Sequence, residues 1–284
     1  MSDSAAARAR AHPPMVRIRP SKGWNRINLR EMWEYRELLY FFAWRDLKVR
    51  YKQTVIGAAW AVLQPVLLMV VFTIFFGQLA AIPTNGVPPP LFYYVALLPW
   101  GLFATGLATG GLSITANQAL ITKVYFPRIL LPASTVVAAL VDFAIASVVL
   151  VLLMAFFGFV PTLATVALPL FILLAIVTSL GVAFWLSALD ARYRDIHYTI
   201  PFLTQLWFFA TPIIYPLTSV PAAFRWLYAL NPMVGVIDGF RWALLGQAFA
   251  FDVTSWLSVV VAVVLFVSGM FYFTRVEKIL PDVV

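Results

Sequence analysis

Cysteine is absent from this chain, and histidine occurs only twice in 284 residues. The first absence excludes disulfides, thiolate metal sites and cysteine nucleophiles. His12 and His197 have no metal-ligand partner, so no metal site is expected. Charge is also scarce. Charged residues make up 11% of the chain and hydrophobic ones 62%, against soluble averages of about a quarter and about half. Residues 53 to 122 carry no charge at all, and from Ile129 to Leu189 the only charge is Asp142. Such a composition is that of an integral membrane protein. There is no Gly-x-x-x-x-Gly-Lys-Ser/Thr run and no Gly-Lys pair anywhere. The chain therefore cannot cradle ATP phosphates in the P-loop manner.

What is abundant is aromatic: 24 Phe, 11 Tyr and 10 Trp, which suits many interfacial anchors. The net charge of +8 could suggest nucleic acid, but its distribution argues against that partner. Twelve of the 20 Lys and Arg lie within residues 1–52, beside the first apolar run. That is the pattern of a cytoplasmic terminus facing an anionic leaflet. Residues 1–28, rich in Ala, Arg and Pro, are expected to be disordered and cytoplasmic. They do not read as a signal peptide, because no apolar stretch of suitable length follows the arginines.

Residues 29–52 form the border between that terminus and the membrane. Read as a helix, they place Leu29, Met32, Trp33, Tyr40, Ala43, Trp44 and Leu47 on one side. Arg30, Glu34, Glu37, Arg45 and Lys48 fall mostly elsewhere, as do Leu38, Phe41 and Phe42. A helix lying in the membrane interface is expected. A surface helix of a small soluble domain is the alternative, but too few residues precede it.

About 20 residues span a bilayer, and the breaks fix the spans. The loop Pro83-Thr-Asn-Gly-Val-Pro-Pro-Pro90 separates spans near 54–81 and 91–117, with a kink expected at Gln64-Pro65. Gly158-Phe-Val-Pro161 separates spans near 130–158 and 162–189. The fifth, near 198–215, ends in Thr211-Pro-Ile-Ile-Tyr-Pro216, and the sixth covers 253–274. Six spans place 18 of the 20 basic residues on one side, with only Arg225 and Arg241 opposite. The fold expected is thus all-α, six-spanning, with both termini cytoplasmic. Between spans five and six, 217–250 holds two apolar pieces too short to cross, flanking Asn231-Pro232. A re-entrant or interfacial helix pair is expected there, two further spans being the alternative. Asn231, Pro232, Asp238 and Arg241 are the candidate gate residues of this segment, on the side away from the termini. Asp238 and Arg241, three apart, can pair on one helical face.

Leu120-Ile-Thr-Lys-Val-Tyr-Phe-Pro-Arg-Ile-Leu-Leu-Pro132 resembles the first cytoplasmic loop of ABC-2 type permeases that export polysaccharides. Trp44-Arg-Asp-Leu-Lys-Val-Arg-Tyr-Lys52, Gly57-Ala-Ala-Trp60 and Gln64-Pro65 resemble that family's interface helix and first span. Ala191-Arg-Tyr-Arg-Asp-Ile196, Leu230-Asn-Pro-Met233 and Gly239-Phe-Arg241 complete the likeness, which runs from about residue 30 to the end. It is closest to O-antigen lipopolysaccharide exporters; teichoic acid and capsule exporters share much of it.

The resemblance implies a homodimer in the bacterial inner membrane, bound to two copies of a separate ATPase chain that carries ATP and Mg. It implies no enzyme activity and no cofactor on this chain. It implies a coupling helix near 119–129, with Lys123, Tyr125, Phe126 and Arg128 meeting the ATPase; a plain cytoplasmic loop is the alternative. It also implies a lipid-linked polysaccharide on an undecaprenyl diphosphate, for which Arg45, Lys48, Arg50 and Lys52 are candidate diphosphate contacts. Aromatic faces can hold sugars weakly along a path. The candidates are Trp60, Phe72, Phe75, Tyr93, Trp100, Phe103, Trp207 and Phe208, with ordinary packing as the competing role. Asp142 is expected to face the bundle or a wet cavity, in a structural role or in proton coupling. A membrane glycosyl- or acyltransferase would need more clustered acids and histidines, and an ion-coupled transporter paired ionisable groups.

Overall fold

An apolar chain in lipid must satisfy its backbone polar groups internally, and helices do this within one segment. The computed structural model describes residues 33–52, 57–249 and 253–277, and among these there is no strand. The expected disordered terminus 1–28 and the start of the interface helix lie outside the described residues. Helix α1 is Arg36–Lys52, α2 Trp60–Leu79 and α3 Pro89–Gly110. Both α2 and α3 widen to π-helix in their last turns, Thr73–Leu79 and Gly106–Gly110. Two single turns, Ser113–Ala116 and Gln118–Ile121, lead to α4, Leu130–Phe156. Then follow α5 (Leu168–Asp190), α6 (Asp195–Phe209), α7 (Arg225–Ala229), α8 (Pro232–Leu245) and α9 (Val253–Val276).

Five helices among the described residues are long and apolar enough to cross a membrane: α2, α3, α4, α5 with its lead-in turn, and α9. The remaining expected span is α6, which has only 15 residues. At 1.5 Å per residue that is about 22 Å, less than the ~30 Å hydrocarbon core. Pro212 explains the early stop, since a proline pushes the residue before it out of the helical region. The tip between α2 and α3 turns on Asn85 and Gly86, at φ 54° and 81°. Asn and Gly tolerate that left-handed backbone best.

Helix α3 is the centre of the bundle. In its membrane window 78% of residues are buried, against 11% for α2. It is packed by α2, α4, α5 and α8, and Leu91–Leu98 are all buried. A second core gathers Phe42, Ile121, Phe126, Leu130, Phe184 and Phe273. Helices α5 and α9 make the closest contact. A Cβ on Gly181 would lie 2.7 Å from the Phe266 nitrogen, and one on Gly269 would lie 2.5 Å from the Gly181 oxygen.

Candidate functional site

The interface helix packs on α4, but among the described residues of the stripe read from periodicity only Ala43 is buried. Phe42 and Ala43 are buried, and Tyr35, Leu38 and Leu39 pack beside them, whereas Trp33, Tyr40 and Trp44 are exposed. The outward aromatics fit a helix whose other face meets lipid headgroups. Polar ties reinforce the inner face. The Ser134 hydroxyl donates to Asp46 at 3.3 Å. Asp46 also accepts from the Arg45 guanidinium, at 2.8 Å from Nη2. Further along, Arg50 pairs with Asp142 of α4, and the Tyr51 hydroxyl donates to the same carboxylate. Burial pushes the Tyr51 phenol up to about 12, with the Asp142 bond adding to the effect. Tyr51 therefore keeps its proton and remains a donor to Asp142 at neutral pH.

This three-residue latch stands at the edge of a half-open cavity of about 730 Å³ between α1, α2, α3, α4 and α6. Trp60, Gln64, Trp100, Thr105, Thr109 and Thr204 line it along with apolar side chains. Of the four candidate diphosphate contacts, only Arg50 reaches the cavity. Lys48 and Lys52 are exposed, and Arg45 lies over the Phe42 ring at 5.2 Å.

The candidate path aromatics divide sharply. Six of them interlock in one interior cluster. Phe72 meets Tyr93 and Phe208 at 5.9 and 5.8 Å, Trp100 meets Phe103 and Phe208 at 5.4 Å, and Phe103 meets Trp207 at 4.9 Å. Such edge-to-face and tilted contacts are packing geometry. Trp60 and Phe75 are exposed on α2.

The loop before α4 departs from the continuous helix expected over 119–129. A single helical turn, Gln118–Ile121, is followed by irregular chain through Pro127. Pro127 disfavours helix at Phe126. Lys123 and Tyr125 point outward, Tyr125 with 74% of its surface exposed. Phe126 turns inward against Phe42, with ring centroids 5.3 Å apart. The Arg128 backbone N–H donates to Glu277 Oε1 at 2.7 Å, and its Nη1 donates to the Glu277 carbonyl at 3.1 Å. The turn Ser113–Ala116 is tied to the end of α5 by a bond from the Thr115 hydroxyl to buried Asp190.

Two of the four gate candidates, Asn231 and Arg241, bond to the chain that follows α6. Asn231 caps α8, its Oδ1 accepting from the Met233 N–H at 3.0 Å and from Trp207 Nε1 at 2.9 Å. Its Nδ2 donates to Thr211 Oγ1 at 2.8 Å. Pro232, at the first helical position, loses nothing by lacking an N–H. Arg241 is only 1% exposed. Its guanidinium donates to the carbonyls of Pro212 (2.8 Å), Ile213 (2.8 Å) and Tyr215 (3.2 Å), and stacks 3.7 Å over Phe92. Asp238, one turn earlier, acts on that charge through space. Arg225, the other exception to the charge bias, donates to the Val220 carbonyl at 3.1 Å. Both exceptions thus hold backbone that has no helix to satisfy it.

Tyr51 and Glu277 were not legible as site residues. Glu277 carried one signal: an acid at a helix C-terminus opposes the helix dipole and calls for a partner.

Residues 37–245 match the family model for ABC-2 type transporters. The chain is 34% identical over 216 residues, 75% of its length and 82% of the relative's, to the O-antigen export system permease protein RfbA of Myxococcus xanthus. A protein of that name from Klebsiella pneumoniae is 27% identical over 85% of this chain and 92% of its own. The polysialic acid transport protein KpsM of Escherichia coli is 26% identical over 84% and 93%. The match takes in the interface helix, the inner loop and the Arg241 helix, and by it this chain belongs to the ABC-2 type transporter family.

Proposed function

We propose that the chain is the membrane subunit of an ATP-driven exporter of lipid-linked polysaccharide, of the O-antigen type. The observation that carries this reading is the similarity to an O-antigen export permease over 75% of the chain. The chain has no P-loop of its own, so the energy comes from a separate ATPase, two copies serving a homodimer of this chain. ATP and Mg reside there. Exposed Lys123 and Tyr125 form the contact, while Phe126 and Arg128 hold their loop to the bundle from beneath.

The membrane is the bacterial inner membrane, crossed six times with both termini cytoplasmic. Helix α6 and the chain to Pro216 make the fifth crossing, and α7–α8 form the re-entrant gate. Arg45, Lys48, Arg50 and Lys52 gather basic charge where a diphosphate would approach, and the Trp60 face offers stacking surface within the cavity. A related polymer such as polysialic acid is the second reading, favoured by the 26% identity to KpsM.

The test is a pull-down from detergent-solubilised native membranes, followed by an ATPase assay of the eluate. A P-loop ATPase should co-purify, and alanine at Lys123 and Tyr125 should remove it. A chain that elutes without any nucleotide-binding partner would overturn the proposal.

A further inference from the structure

The loop proposed to meet the ATPase is joined to the last helix by a reciprocal pair of bonds. Glu277 accepts from the Arg128 backbone N–H at 2.7 Å, and Arg128 Nη1 donates to the Glu277 backbone carbonyl at 3.1 Å. Each residue offers its side chain to the other's main chain. The charges fit this exchange. Helix α4 begins with Ile129 as its cap and has no side-chain cap of its own. Glu277 brings a carboxylate to that N-terminus, where the dipole favours an anion. Glu277 also sits just past the C-terminal end of α9, where its own charge is unfavourable, and the Arg128 guanidinium supplies the cation that end prefers. Each helix end is capped from the other's strand of chain.

Helix α9 carries that end across the bundle without slack. Near its middle, Gly269 and Gly181 bring α9 and α5 into backbone contact with no room for a methyl group. Towards its other end the buried Ser258 hydroxyl donates to the Ala229 carbonyl of α7 at 3.1 Å. A Cβ on Gly235 of α8 would lie 2.9 Å from the Ser258 Cβ. Residues 258 to 277 lie about 28 Å apart along the helix axis. One rigid element therefore touches the loop on one side of the membrane and the α7–α8 pair near the other.

We propose that α9 is the rod through which the ATPase-facing loop acts on the α7–α8 gate, and that Glu277 is the positioning residue that fastens loop to rod. This rests on the ATPase-coupled reading above. A transmitted effect requires an element that both sites bias, and α9 contacts both, through bonds to the loop and to α7.

The test uses the full chain with its co-purified ATPase. ATP hydrolysis and the appearance of polysaccharide at the cell surface are measured together. Glu277→Ala should still bind the ATPase and allow hydrolysis, while polymer exported per ATP falls about five- to tenfold, the range of a typical coupling. Glu277→Gln keeps an acceptor for the Arg128 N–H and should fall less, by about twofold. The chain has no cysteine, so Arg128→Cys with Glu277→Cys allows a short thiol-reactive bridge at this one place. Bridging should restore export, which mere loss of folding would not allow. Should Glu277→Ala fail to accumulate, the glutamine variant and the bridge decide alone. Wild-type export per ATP in the glutamine and alanine variants, or export abolished by the bridge, overturns the rod and leaves the coupling reading standing. Absence of any ATPase from the wild-type eluate removes the coupling reading and the rod with it.

Discussion

Replacing Arg241 with Met should destabilise the protein more than any other single change of a charged residue in the gate segment. The side chain is 1% exposed and holds three carbonyls, those of Pro212, Ile213 and Tyr215, at 2.8 to 3.2 Å. Hydrogen bonds to charged groups contribute about 1.5–3 kcal/mol each, and a buried acceptor left unpaired costs about 1–3 kcal/mol. Two effects oppose this loss. Methionine fills much of the volume, and no buried cation remains to be desolvated. The carbonyls decide the balance, because 212–215 is not helical and cannot recover them internally. Three carbonyls left unpaired at about 1–3 kcal/mol each, less the relief of desolvation, give a net loss of about 3–5 kcal/mol. In a chain of this size that is a fall of about 10 °C in Tm, read as the monodisperse fraction surviving heating in detergent. Arg241→Lys should lose less, since an ammonium keeps the charge but cannot reproduce the planar fork or its stack on Phe92. Arg225→Met, at half-exposed bonds of 3.1 and 3.4 Å, should cost about 1 kcal/mol or less. A methionine variant at position 241 that melts within about 2 °C of the wild type would refute this account of the segment.

Three further outcomes follow from contacts already described. Gly181→Ala should force α5 and α9 apart, because the new methyl would meet Phe266 and Leu265 backbone at 2.7–2.8 Å; a loss of about 1–3 kcal/mol is expected in the same heating assay. Asn231→Ala removes the α8 cap and the ties to Trp207 and Thr211, costing about 1–2 kcal/mol, and Asn231→Asp, which keeps the cap acceptor, should recover part of it. Asp142→Asn should loosen α1 from α4, so that a cysteine placed at buried Ala43 reacts with a maleimide several-fold faster than in the Asp142 background; equal labelling rates would show that the latch does not hold the helix.

Much of the span pattern was legible, because charge is costly in lipid and its absence marks the runs. Pro83–Pro90 and Gly158–Pro161 placed the turns because each gathers helix breakers between two long apolar runs. Which face of a helix looks inward was not legible. In water an apolar stripe points to the core, but beside lipid both faces can be apolar, so Trp33, Tyr40 and Trp44 formed a stripe that faces outward. Leu38 and Phe42, off that stripe, do the packing. The candidate path aromatics suffered the same ambiguity, since a ring suited to stacking on sugar is also suited to packing against Phe72. Arg241 was legible as an exception to the charge bias with Asp238 as its expected partner; the three backbone carbonyls it holds were not.

Three buried or half-buried charges share one arrangement. Asp142 joins α1 to α4, Asp190 joins the 113–116 turn to α5, and Arg241 joins the 212–215 chain to α8. Long α4 and α5 supply the two carboxylates and the 14-residue α8 the guanidinium, and in each case the partner lies on a shorter or irregular element. The long helices need no such help, as α3 shows by burying nearly all of its length without one. The short elements bury too little apolar area to dock by packing alone, and in lipid the hydrophobic effect does not draw them in. A buried charge answers both problems, because leaving it unpaired costs far more than ordering the few residues that pair with it. Neutralising these charges should therefore spare the long helices and release the elements they tie down: α1, the 113–116 turn and the 212–215 chain.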